Sequence, residues 1–253
     1  MKAFFRKELM ELVRTGRFVI ALLCFGLVGI MNPAVAKLTP WMTKMLAGQL
    51  QEAGIMAVEV TPDAMMSWTQ FYKNIPLALL IFLILFSGIF TAEYERGTLI
   101  PVVTKGLPRW KIVFAKSVTA AGVWSVCYWL CFGITYVYNA YFWDNAIAAH
   151  LLSAAACYWL FGLFLCAVMM LFSVIMKGNI YVLLTTGAVF GVLYAAQSLI
   201  KKADFLPLKL TDGMQLLQNT ASCSDYVPAA VVAAVGIVLC LTGAVCIFNR
   251  RQL

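Results

Sequence analysis

The chain has 253 residues, of which 63% are hydrophobic and 12% charged, with a net charge of +8, and its mean hydropathy is +0.88. An average soluble domain carries about 25% charged residues. These values exclude a soluble globular enzyme, a disordered chain and a nucleic-acid-binding domain, and they define an all-α integral membrane protein. A helical span takes about 20 apolar residues, so six spans leave about 130 residues for loops and interfacial helices. No large soluble module fits in that remainder, so bulky catalytic machinery must come from a partner.

In chain order, residues 1–17 mix Lys2, Arg6, Lys7, Arg14 and Arg17 with Phe5, Leu9, Leu12 and Val13. At 100° per residue those four apolar side chains share a face, which predicts an amphipathic helix in the membrane interface. Six apolar runs follow, at 18–35, 75–92, 118–138, 151–176, 180–199 and 229–248. Between the first two, Met42, Met45, Leu46 and Leu50 recur at helical spacing. Thr61-Pro62-Asp63 then reads as a helix start, with Thr61 as its cap. The segment 200–228 is rich in leucine and is expected to re-enter the bundle in part. The whole chain is one transmembrane domain, with 36–74 and 200–228 on the outer side.

Orientation follows from the basic residues. With the N-terminus inside, the inner segments hold thirteen Lys and Arg against six outside, and four acids against seven. The inside is then +9 and the outside −1. This predicts a multi-pass protein of the cell membrane with both termini cytoplasmic. Its positive charge serves topology and anionic lipid, with no nucleic acid as partner.

None of the six apolar runs contains Asp, Glu, Lys, Arg or His. Ion-coupled carriers and intramembrane hydrolases need such groups at membrane depth, so an intramembrane protease is disfavoured. The single His150 reads as interfacial rather than as a metal ligand. Seven of the eight cysteines lie in apolar runs and no CxxC occurs, so neither metal nor redox chemistry is indicated. Cys223, on the outer side, is left either as a free thiol or as a bridge to a second chain. Gly187 and Gly191 form a GxxxG spacing that would admit a close helix neighbour. No GxxxxGK[ST] occurs, so the chain has no phosphate loop of its own.

The most specific stretch joins the second and third runs. Gly97 ends one helix. Thr98 caps a new one starting at Leu99, Pro101 sits in its first turn, and Lys105 and Gly106 end it. Pro108 opens the next helix. The short helix, 97–106, must bury Leu99, Ile100, Val102 and Val103. Two surfaces would serve: lipid headgroups, or a groove in a soluble partner whose rim pairs with Glu93, Glu95, Arg96, Lys105 and Arg109.

This pattern resembles the permease subunits of type-2 ATP-binding-cassette (ABC) exporters. The residues that carry the likeness are Glu93, Glu95, Arg96, Gly97, Thr98 and Leu99, then Pro108, Arg109 and Lys116, together with Phe5, Lys7 and Glu8 before the first span. The resemblance implies that the loop is a coupling helix entering a cleft on a separate ATPase. Glu93, Glu95, Arg96, Gly97, Thr98, Leu99, Val102, Lys105 and Arg109 would form the contact. It implies two ATPase copies carrying ATP and Mg, a second permease chain, identical or different, and no catalysis or cofactor on this chain. It also implies that spans two and five face a substrate cavity. That nominates Phe82, Leu83, Phe86, Leu183, Thr186 and Phe190, a lining suited to a lipophilic or amphipathic substrate such as an antimicrobial peptide or drug. The competing expectation is a stand-alone immunity or sensor protein that binds a peptide without ATP.

Overall fold

The computed structural model describes residues 2–52, 61–98, 101, 104, 106, 108–199 and 204–251. Among them it is all helical, and six helices are long and apolar enough to cross a membrane. Helix α1 (Lys2–Arg14) leads through a left-handed Gly16 into α2 (Arg17–Glu52), the first span. The second span is α3 (Ala64–Phe86), a 3-10 turn at Ser87–Ile89 and the short α4 (Thr91–Arg96). Helices α5 (Arg109–Phe142), α6 (Leu151–Ile175) and α7 (Asn179–Leu199) are spans three to five. After the small α8 (Gly213–Leu217), the sixth span is α9 (Val227–Arg250).

Most spans run past the expected boundaries, because apolarity marks the lipid-facing length and not where hydrogen bonding stops. The first span was expected to stop at 35, near Pro33, yet α2 continues through Pro33 and Pro40 to Glu52. A proline within a helix leaves the carbonyl four residues earlier without its donor. For Pro33 that carbonyl is Gly29 O, and Thr135 Oγ1 on α5 donates to it at 3.1 Å. Neighbouring spans can therefore repair the break. Gly29 also lets the backbones approach, since a Cβ there would stand 3.0 Å from Cys131 O. On the same level Asn74 Nδ2 donates to Asn32 Oδ1 at 3.0 Å, and Asn32 Nδ2 to Thr135 Oγ1 at 3.3 Å. Three spans are thus tied by side-chain amides at membrane depth.

The start of α3 also differs from expectation. Asp63, not Thr61, is the N-cap, accepting from Met66 N at 2.7 Å. A carboxylate is the stronger acceptor for a free amide at the positive end of a helix.

Lipid tails are as apolar as leucine, so packing in the bundle rests on shape and small residues. Aromatic rings fill the centre of spans one to four: Phe25 and Phe82 meet Trp124 edge-on at 5.8 and 5.5 Å. Trp124 lies over Gly162, where any Cβ would overlap its ring. Helix α9 presents Ala229, Ala233, Gly236 and Ala244 to the bundle, with Gly236 against Phe164. Helix α7 stands apart, and Val182 and Thr186 are its buried residues among those described. Gly187 and Gly191 have no atom within 4 Å of a built Cβ, so no described residue of this chain fills the GxxxG groove.

Between α7 and α9 the chain packs Leu208, Leu210, Leu216 and Leu217 into the bundle. Gly213 sits against the Tyr72 ring, Tyr226 Oη donates to Asp212 O at 2.9 Å, and Ala149 N to Leu217 O at 3.1 Å. Asp212, within this plug between Leu210 and Gly213, has its pKa raised by burial, partly offset by Lys209 and a hydrogen bond with Gln197.

Candidate functional site

Two regions carry chemistry, one at the basic end of the bundle and one between the spans. At the basic end α1 turns one side to the protein. Glu8 and Leu12 are buried, while Leu9, Met10 and Val13 stay exposed. The expected single apolar face is therefore split, with Leu12 turned inward next to a carboxylate. The reason is Lys116 on α5, which is 1% exposed. Its Nζ lies 3.0 Å from Glu8 Oε2 and 3.0 Å from Glu93 Oε2. Lys7 completes the network, bonding Glu8 at 3.2 Å, Glu11 at 3.0 Å, and Glu93.

Three carboxylates and two ammonium groups thus join α1, α4 and α5. A buried ion pair adds little net stability, but stripping one partner costs about 3–5 kcal/mol because the other charge is stranded. Lys7 shows the balance. Burial works against its charge, but the hydrogen bond to Glu93, the charges of Glu8 and Glu93, and the bond to Glu11 outweigh it and raise its pKa. Glu11 is shifted the other way: burial opposes its charge, yet the bond to Lys7 and the charges of Lys7, Lys116 and Arg17 hold its pKa below the ordinary value. Ligand oxygens of Glu8, Glu11 and Glu93 lie within 4.8 Å of one another. Lys7 and Lys116 already pair with these oxygens and offset two of the three negative charges, so the carboxylates serve as ion-pair partners within the chain.

The network corrects one expectation about the loop. Glu93 is buried and paired inside this chain, not displayed at a rim, because α4 points it at Lys116. Arg109 is a second correction: its Nη1 caps the end of α9, bonding Phe248 O at 2.9 Å, Asn249 O at 3.2 Å and Arg251 O at 2.5 Å. A guanidinium at a helix C-terminus satisfies orphan carbonyls and favours the dipole. Arg251 in turn bonds Val174 O and lies over the Tyr94 ring at 4.2 Å.

Glu95, Arg96 and Thr98 are exposed, and Gly97 takes the left-handed conformation at φ +64°. Thr98 N donates to Glu93 O and Gly97 N to Tyr94 O, both at 3.2 Å, which closes α4. Gly106 is also left-handed, at φ +84°, and α5 starts right after Pro108. Pro101 and Thr104 between them are helical and exposed. Leu99, Val102 and Lys105 lie outside the described residues.

Just inside this end the second span is broken at Ser87–Ile89. Asn179, at the start of α7, sits against Gly88, and Thr91 Oγ1 donates to its Oδ1. The 3-10 break, α4 and the start of α7 are therefore in contact.

The second region is a cavity of about 540 Å³ between α3, α6 and α7. Leu83, Leu183, Thr186 and Phe190, four of the six residues the resemblance nominated for a substrate cavity between two permease chains, line it. Phe82 and Phe86 do not. They stack on each other at 4.4 Å in the core, with Phe82 against Trp124. One residue is 100° of helix, so Leu83 and Phe82 cannot face the same way. Sequence reasoning missed the α6 wall, with Tyr158 and Phe161, and the contribution of Thr211 near the plug. No charged side chain is among the described residues that line the cavity. The hydroxyls of Thr186 and Thr211 each donate to a carbonyl of their own helix at 2.7 Å.

The basic network was also missed as a site. Its signal was Lys116, a lysine amid Phe114, Ala115 and Val118, two turns into a helix.

Fold and site together define a polytopic helical membrane protein with Glu95, Arg96 and Thr98 exposed at the end of its second span and, among the described residues, a cavity with an uncharged lining. The chain matches the sequence profile of the ABC-2 family transporter proteins over residues 3–251 and belongs to that family. It is therefore a permease subunit of a type-2 ABC transporter, and the family implies association with an ABC ATPase subunit. A comparison with curated proteins gave no match.

Proposed function

We propose that this permease is the membrane half of an ATP-driven exporter for a lipophilic or amphipathic substrate, an antimicrobial peptide or drug being the leading class. Two copies of a soluble ATPase carry ATP and Mg, and a second permease chain completes the pathway. Both termini face the cytoplasm of the cell, which places the basic end with the ATPase. The supporting observation is the loop at 97–108, held between left-handed Gly97 and Gly106 and continuous with α4 and α5, with Glu95, Arg96 and Thr98 exposed.

In this reading ATP-driven closure of the ATPases pushes the loop. Helices α4 and α5 receive the push as rods. The ion network keeps α1 with them, so the three elements move as one piece. The break at Ser87–Ile89 gives α4 freedom relative to α3, and the Thr91–Asn179 bond carries the shift to α7. Because α7 is the least packed wall of the cavity, it is the wall that moves. An uncharged lining binds the apolar part of a substrate and leaves it free to depart.

Affinity purification of the tagged chain from native membranes, with quantitative mass spectrometry, tests this. Recovery of a soluble ATPase with a phosphate loop at one copy per permease supports the exporter. Recovery of the chain alone, repeated after cross-linking, overturns it in favour of a stand-alone binding protein.

A further inference from the structure

The cavity between α3, α6 and α7 has a volume of about 540 Å³, within the range of drug-sized sites, about 300–1,000 Å³. Two turns of peptide helix, about 10 Å across and about 11 Å long, would overfill it. The space therefore suits one small molecule. Among the described residues no charged side chain lines it. An ion moved from water into such surroundings is strongly disfavoured, so the molecule that fits is uncharged.

The lining also holds a buried polar atom without a partner. Tyr72 on α3 is 9% exposed, and its hydroxyl makes no hydrogen bond among the described residues. The threonine hydroxyls of the lining are spent on Val182 O and Leu208 O. The Tyr72 ring stands edge-on to Tyr158, another lining residue, at 6.3 Å. Its hydroxyl end rests on Gly213, where a Cβ would lie 2.6 Å from Oη. Thr211, two residues before Gly213, also lines the cavity, so the unpaired hydroxyl lies at the plug end of this space. Inside a bundle that spans a membrane no bulk water completes the bond, and a buried donor left unmade bears the full penalty of its lost hydration.

We propose that the cavity binds one uncharged, drug-sized molecule bearing a carbonyl-type acceptor, and that Tyr72 Oη donates to that acceptor and so selects it. The donor is in place before the ligand arrives, its ring held among Phe71, Tyr158 and Gly213, so little ordering cost falls on binding. Such a site discriminates against an analogue of the same shape without the acceptor, because that analogue leaves the hydroxyl unpaired. The proposal rests on the reading of this cavity as the export site and narrows it: of the two leading substrate classes it takes the drug and sets aside the peptide.

Benzophenone and diphenylmethane, which differ by a carbonyl in place of a methylene, are the probes. The full chain in detergent is photolabelled with tritiated benzophenone in the absence of ATP, with diphenylmethane as competitor. Label is expected on residues that line the cavity. The ratio of the two affinities should fall about tenfold in Tyr72→Phe, the scale of one hydrogen bond to a buried donor, and unequal partition into detergent cancels in that comparison. Tyr72→Phe should melt no lower than the parent, since it removes a hydroxyl without a partner in the free chain. Tyr128→Phe, which removes the hydroxyl that donates to Ala155 O at 2.8 Å, should melt lower and keep the ratio. An unchanged ratio in Tyr72→Phe, a lower melting temperature of that variant, or label outside the lining overturns the proposal. The export reading is tested apart, by stimulation of ATP turnover by benzophenone in the complex with the ATPase. No stimulation together with a shifted ratio would sink that reading and leave the site standing; stimulation with an unchanged ratio would do the reverse.

Discussion

The basic-end network and the cavity solve opposite problems with the same six spans. At the basic end, five charges from three elements form one ion-paired network, with Glu8, Glu93 and Lys116 buried and Lys7 and Glu11 half-exposed, so the position of each is dictated by its partners. In the cavity no described lining side chain is charged, the threonine hydroxyls are spent on their own helices, and one wall, α7, is scarcely packed. The first region is built to hold its parts together. The second is built so that its parts can separate. A transporter needs both, because a push can be transmitted only through a rigid piece and a substrate can be released only from a loose one.

The sharpest way to break this comparison is to strand a charge. Lys116→Ala leaves Glu8 and Glu93 buried with Lys7 as their remaining partner and should destabilise the protein by about 3–5 kcal/mol. Thermal unfolding in detergent measures it. Adding Glu93→Gln should recover part of the loss, since one stranded charge is gone; independent effects of the two changes would show that the network is not a unit.

Two phenylalanines sharpen the comparison next. Phe82→Ala opens a hole beside Trp124 and should cost about 3–5 kcal/mol. Phe190→Ala, 40% exposed on α7, should cost under about 1 kcal/mol by the same measurement, near the value for surface changes. Its effect should appear in substrate affinity instead. Similar melting losses for both would erase the distinction between core and cavity wall.

The loop comes third. Gly97→Ala forces a Cβ into the left-handed region and should cost about 1–2 kcal/mol. Gly97→Pro cannot reach φ +64° and loses the N–H that closes α4. Either it or Arg96→Glu should uncouple ATP turnover from transport in the reconstituted complex, and normal transport by both would remove the loop from the mechanism.

The smallest expected effect is that of pH. Glu11 has a pKa below the ordinary carboxylate value in the folded chain. Its contribution is therefore complete above the ordinary carboxylate range and is lost as pH falls through the lowered value. Lys7, shifted upward, keeps its contribution through neutral pH and loses it only in strong alkali. Protection of α1 against hydrogen exchange should be flat from about pH 6 to 9 and decline in acid. A decline centred near neutrality would assign the attachment of α1 to other groups.

Much of this architecture was legible in the residues. Six apolar runs gave six spans, since only a helix satisfies its own backbone in lipid. The helix end at Gly97, the left-handed Gly106 and the helix start after Pro108 followed from cap chemistry, which is local. The direction of side chains was not legible. Leu83 and Phe82 are equally apolar, and only the neighbours of α3 decide which faces the cavity. Glu93 and Arg109 read as rim charges because sequence shows their polarity but not their partners, Lys116 and the end of α9, which lie far along the chain. Pro33 read as an outer boundary because the hydroxyl that rescues its helix is on Thr135. Composition, periodicity and caps thus determined which segments are helices, where short ones stop and that the chain lives in a membrane, because those follow from interactions within a few residues. Tertiary structure alone decided which charges are buried, which faces line a cavity and which span stays loose, because each of those depends on what a second helix brings to the same place.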